Sequence, residues 1–132
     1  MMRKLDHVGL VVKNSGETLA VLSKLFGFKT VEVRPEPEAG FKSTLVSSAE
    51  VTFELIEPMG PQGMIQKFLE KRGEGLHHVS IQVADLEGEM KRLKDLGVQF
   101  SSDEPAVIEG TKVVFIHPRS ASGLLIELIQ RQ

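Results

Sequence analysis

Gly75-Leu76-His77-His78-Val79-Ser80-Ile81-Gln82-Val83 decides the fold, because Leu5-Asp6-His7-Val8-Gly9-Leu10-Val11-Val12 repeats its pattern of residue types almost position for position. Each copy starts an alternating run with a histidine. Val8, Leu10 and Val12 share one face in the first copy, and Val79, Ile81 and Val83 share one in the second. That period of two is the signature of a half-buried strand. His7 and His78 then lie on the opposite face, followed two residues on by Gly9 and Ser80, which are too small to fill a core. Such a face is expected to line a space rather than pack shut.

The offset between the histidines is 78 − 7 = 71, close to half of the 132 residues, and the rest of each half keeps the same order. Helical spacing follows both strands: Leu19, Leu22 and Phe26 lead to Gly27, and Leu86, Met90 and Leu93 lead to Gly97. Glycine there supplies a left-handed helix cap. Each half closes on an apolar strand with a carboxylate inside it, Val51-Thr52-Phe53-Glu54-Leu55-Ile56 and Leu124-Leu125-Ile126-Glu127-Leu128-Ile129, offset by 127 − 54 = 73. The drift of two is what one small loop change would leave. The expectation is an α+β fold of two β-α-β-β-β repeats, at about residues 3–58 and 74–130.

Composition narrows the function. A chain of this length buries a single core but seldom two independent ones, so one domain over residues 1–132 is expected. Net charge is −2 and the pI about 6.1, which leaves no broad positive field for nucleic acid. The aromatics are seven Phe spread among apolar runs, with no Tyr or Trp to build a base-stacking platform. Zero cysteines remove disulfides, thiolate metal sites and thiol nucleophiles, so any metal must use nitrogen and oxygen ligands. Met1-Met2-Arg3-Lys4-Leu5 runs into the first strand without the apolar segment of a signal peptide, and no apolar run approaches membrane-spanning length. A cytoplasmic enzyme or binding protein, with neither membrane nor nucleic acid as partner, is expected.

Along the chain, Asn14 or Ser15 caps a helix reaching about Phe26, with Glu17 in its first turn. Strands follow at 28–34, 41–47 and 51–57, with a turn-rich loop at 35–40 as a candidate rim or lid. A short linking helix presents Met64, Ile65, Phe68 and Leu69 as one buried stripe and ends at Lys71-Arg72-Gly73. In the second half Asp85 caps a helix to Leu96, and strands are expected at 98–100, at 112–116 and around Glu127, with the polar loop 117–123 before the last. Two four-stranded curved sheets with helices outside would combine around a cleft lined by His7, Glu54, His78 and Glu127.

An ionised carboxylate inside an apolar strand costs several kcal/mol unless it is paired or metal-bound. No lysine or arginine flanks Glu54 or Glu127 in sequence. Two His and two Glu at matching places suit a divalent ion in octahedral nitrogen and oxygen coordination. The plainer alternative is a pair of solvent-facing strand carboxylates and two surface histidines. Parity and the repeat select His78 as the inward histidine, and His77 aligns with Asp6 and is expected to face outward or cap locally. His117, before Pro118, reads as a turn residue. Arg119 and Ser120 are candidates to meet an anionic group of a substrate, or else solvated loop residues.

The repeat and its His/Glu/His/Glu pattern resemble the vicinal oxygen chelate superfamily, which includes glyoxalase I, extradiol dioxygenases and bleomycin-resistance proteins. The resemblance covers the whole chain and implies the glyoxalase/bleomycin resistance/dioxygenase fold, two repeats around a metal-centred cleft. Leu5-Asp6-His7-Val8, Gly75-Leu76-His77-His78-Val79, Glu54-Leu55-Ile56-Glu57-Pro58-Met59-Gly60 and Phe115-Ile116-His117-Pro118-Arg119-Ser120 with Gly123-Leu124-Leu125-Ile126-Glu127-Leu128 are similar to the methylmalonyl-CoA epimerase family within it. What the resemblance implies is metal ligation by His7, Glu54, His78 and Glu127, with cobalt first and manganese, nickel or zinc as alternatives. It further implies an acyl-CoA substrate, a homodimer, and epimerisation of the (2R) and (2S) thioesters through a metal-stabilised enolate. A further carboxylate, proposed as a base in at least one epimerase, would fall near Lys42 or Ser43 and is absent here. Glu127 and Glu54, drawn from different repeats, are therefore the expected bases for the two faces of the substrate. Some epimerases carry Gln where this chain has Glu54, and glyoxalase I enzymes carry Glu. Lactoylglutathione lyase (glyoxalase I) chemistry, or non-enzymatic binding of a small molecule such as an antibiotic, are the alternatives on the same fold.

Overall fold

The computed structural model describes residues 1–132. Eleven elements run in the order β1 (Met2–Val11), α1 (Ser15–Phe26), β2 (Lys29–Glu36), β3 (Phe41–Ser48), β4 (Val51–Pro58), α2 (Met64–Arg72), β5 (Gly75–Val83), α3 (Leu86–Asp95), β6 (Ala106–Ile108), β7 (Thr111–Ile116) and β8 (Ile126–Gln130), with a 3-10 turn at Pro118–Ser120. The order β-α-β-β-β occurs twice, with α2 between the copies. The strands belong to a single sheet in the order β2-β3-β4-β1-β5-β8-β7-β6, not to the two separate sheets expected. Pairing strands through one sheet satisfies edges that two sheets would leave open. The chain divides into two compact units, His7–His77 and Met1–Asp6 with His78–Gln132.

In the unit His7–His77, β1 runs parallel to β4, and β3 runs antiparallel to both β4 and β2. Asn14 caps α1 by accepting from the Glu17 N–H, and Gly27 ends it at φ 73°, a left-handed turn that glycine takes without steric cost. Leu10, Leu19 and Leu22 pack with Val12, Phe28, Val46 and Leu55 on the α1 side. Phe26, expected on the buried stripe, is 67% exposed, and Phe28 fills that place from just beyond the helix. The histidine face of β1 does not stay open along its length. Val11 and Ile56 are covered there by Ile65 of α2, with Phe41, Phe68 and Leu69 around them. Met64, the first residue of the expected stripe, is 83% exposed and takes no part.

The unit containing His78–Gln132 repeats the plan: β5 runs parallel to β8, β7 antiparallel to β8, and β6 antiparallel to β7. Leu86 and Met90 of α3 pack on Val83, Val114, Ile116 and Leu128. Asp85 caps α3 by accepting from the Gly88 N–H. The strand expected at 98–100 is reduced to a single bridge from Phe100 to Ile116. The strand formed instead is β6, after Pro105, joined to β7 by Glu109-Gly110 with φ 49° and 83°. Those left-handed values suit the tight turns that join twisted strands.

Candidate functional site

The strand registers give both units the same arrangement of histidine and carboxylate. In the first, Gly9 of β1 lies opposite Glu54 of β4, and His7 precedes Gly9 by two residues on the same face. In the second, Ser80 of β5 lies opposite Glu127 of β8, and His78 precedes Ser80 by two. Both imidazoles are buried, His7 at 5% and His78 at 4% exposure. The repeat read from sequence is therefore also a repeat of strand register, which matters because a slip of one residue would turn either carboxylate to the other face.

Glu54 is largely enclosed, its side chain 18% exposed. Its Oε2 accepts a hydrogen bond from Ser43 Oγ at 2.6 Å, and its Oε1 stands 3.5 Å from His7 Nε2. A carboxylate oxygen and an imidazole nitrogen turned toward each other in a closed face are two Lewis bases, reconciled by a proton or by a cation. Glu127 is buried at 9% exposure and accepts from Ser80 Oγ at 2.7 Å. Phe115 of β7 lies opposite Glu127 and meets the His78 ring edge-on at 5.6 Å, so an aromatic wall limits the rotation of that imidazole.

His77 does not face solvent as expected. It is half-buried, edge-on to Phe68 of α2 at 5.0 Å. Burial first, with the Arg72 guanidinium adding to it, lowers its pKa, while the Glu54 carboxylate opposes the shift. His117 has the turn role expected, its Nδ1 accepting from the Arg119 N–H at 3.1 Å as cap of the Pro118–Ser120 turn. Arg119 is exposed, whereas the Ser120 hydroxyl accepts from the Gln99 N–H at 2.9 Å and so ties down the loop.

Sequence reasoning missed the hydroxyl donors. Ser80 drew notice only for its size, and Ser43 only as a position near which a further carboxylate is absent; neither was read as a hydrogen-bond donor. It also missed a matched pair of helix anchors: Glu57 accepts from the Ser15 N–H and hydroxyl, and Gln130 accepts from the Leu86 N–H, each tying the end of a strand to the start of a helix.

Residues 6–115 match the family model described as the Glyoxalase/Bleomycin resistance protein/Dioxygenase superfamily. The chain is 32% identical over 129 residues to the mitochondrial methylmalonyl-CoA epimerase of Mus musculus, covering 96% of this chain and 72% of that protein. It is 31% identical over 133 residues to the ethylmalonyl-CoA/methylmalonyl-CoA epimerase of Cereibacter sphaeroides, covering 98% and 99% respectively. Among solved structures, a variant of Streptomyces coelicolor methylmalonyl-CoA epimerase in complex with 2-nitronate-propionyl-CoA aligns with a TM-score of 0.88 at 26% identity, over 98% of each chain.

Proposed function

We propose, for a chain that belongs to the Glyoxalase/Bleomycin resistance protein/Dioxygenase superfamily, that its activity is the epimerisation of methylmalonyl-CoA. The observation that carries this reading is the register-matched pair of histidine and buried carboxylate in the two repeats, His7 with Glu54 and His78 with Glu127. Full-length similarity to curated epimerases supports it, as does the acyl-CoA ligand named for the Streptomyces coelicolor structure. All four residues are of types that offer nitrogen or oxygen donors, and the facing of His7 Nε2 and Glu54 Oε1 fits a shared cation. A divalent ion held by His7, Glu54, His78 and Glu127 would polarise the thioester and carboxylate oxygens and stabilise the negative charge that develops between them. Cobalt is the first choice, ahead of manganese, nickel or zinc.

The proton moves between this chain's own carboxylates and the substrate. Glu127 takes the methine proton of one epimer, the C–H electron pair passes into the thioester carbonyl as an enolate, and protonated Glu54 returns a proton to the other face. The reverse direction exchanges the two roles. Inversion needs proton access from both faces, and bases drawn from different repeats meet that need. Arg119, exposed on the loop before β8, is the proposed contact for an anionic group of the CoA tail, with Ser120 beside it. A homodimer, which the family resemblance implies, and a cytoplasmic location belong to the same proposal. No helix is long and apolar enough to cross a membrane.

Incubating each pure methylmalonyl-CoA epimer with the protein in deuterated water tests the reading. Deuterium should enter the methine position while the epimers equilibrate, and a chelator should stop both. Absence of exchange from either epimer in metal-loaded protein would sink the proposal, and turnover of the glutathione hemithioacetal would replace it with glyoxalase chemistry.

A further inference from the structure

The two repeats match in their histidines and carboxylates but not in the hydroxyls that hold the carboxylates. Glu127 is held from β5 on its parallel side, by Ser80, which lies directly opposite it. The corresponding position in the first repeat is Gly9, which has no donor to offer. Glu54 is held instead from β3 on its antiparallel side, by Ser43, a diagonal neighbour two residues from the directly opposed Leu45. In the second repeat Phe115 takes the place of Leu45 and Val113 that of Ser43, again without a donor. Each carboxylate thus has a hydroxyl anchor, on opposite flanks of otherwise equivalent strands.

A hydroxyl donating to an ionised carboxylate makes a short, strong hydrogen bond that fixes the rotation of the group. At Glu54 the consequence is visible: Ser43 occupies Oε2, and Oε1 is left turned toward His7. Ser80 is fully buried, so its hydroxyl would be costly there without a partner, and Glu127 Oε1 is that partner.

We infer that Ser43 and Ser80 are positioning residues for the two proton-transferring carboxylates, each governing proton transfer on one face of the substrate. The inference rests on the epimerase reading and deepens it. Because the anchors differ, the two faces are controlled independently, and each serine can be removed without disturbing the other's carboxylate.

The test measures deuterium entry from each pure epimer, alongside metal content, for Ser43→Ala and Ser80→Ala. Each variant should lose about 10–100-fold in exchange from one epimer, the scale of a lost hydrogen bond to a charged group. The two variants should penalise opposite epimers and keep their metal. Ser43→Thr, which retains a hydroxyl in a strand, should restore the wild-type balance. The double variant Ser80→Gly/Val113→Ser, which transplants the first repeat's arrangement into the second, should recover exchange that Ser80→Gly alone loses. Ser15→Ala, which removes a hydroxyl from Glu57, should leave the epimer ratio unchanged. Equal slowing of both epimers by each serine variant, or wild-type rates in both, would overturn the positioning role alone. A wild-type protein inert toward both epimers would instead overturn the epimerase reading, and this inference with it.

Discussion

Gln in place of Glu127 keeps the shape and one coordinating oxygen but cannot accept the methine proton, so Glu127→Gln should retain metal while turnover falls about 10²–10⁴-fold. Glu54→Gln should still exchange the methine proton from one epimer and fail to invert it. Full epimerase activity in that variant would reduce Glu54 to a ligand. The adjacent histidines separate by metal content: His78→Ala should lose the ion, whereas His77→Ala should keep it while losing the edge contact with Phe68. An emptied His77→Ala protein would move the ligand assignment to His77. At this scale the alternation of residues marked His78 as different from His77, but it could not foresee that α2 covers His77 as well. That depends on a helix whose side chains reach back onto the strand.

The helices α1 and α3 are built alike at their starts. Asn14 and Asp85 each accept from a first-turn N–H, and Asn14→Ala or Asp85→Ala should each lower unfolding free energy by about 1 kcal/mol in a denaturant titration. The anchors behind the caps differ in charge, since Glu57 serves α1 where neutral Gln130 serves α3. Burial alone would raise the Glu57 carboxyl, but the Ser15 N–H and hydroxyl, with the Lys42 ammonium, outweigh it and hold the pKa below the ordinary 4.5. Its stabilisation is therefore present above about pH 4.5 and is lost as pH falls through the depressed value in the folded state. Glu57→Gln should flatten the loss of stability between about pH 5 and 3, and an unchanged slope there would contradict this role. The caps were legible because capping is local, within three residues. β6 was less so, since Ala106–Ile108 is short and its pairing with β7 is what makes it a strand.

For the molecule as a whole, an ion that binds the folded chain and not the unfolded one stabilises it by about 4.1 kcal/mol at a thousandfold excess over Kd. Cobalt should therefore raise the melting temperature of metal-free protein and a chelator should lower it. Coincident melting curves with and without cobalt would count against the metal reading independently of any activity. The sequence by itself determined the duplicated β-α-β-β-β order, the caps and the four candidate ligands, because periodicity, capping and a 71-residue echo are all carried in residue order. The tertiary structure alone decided that one sheet holds all eight strands, that α2 closes part of the histidine face over Val11 and Ile56, and that Ser43 and Ser80 anchor the carboxylates. Those outcomes depend on which strand lies beside which. Ser80 and Glu127 are 47 residues apart in the chain, and only the register between β5 and β8 brings hydroxyl and carboxylate together.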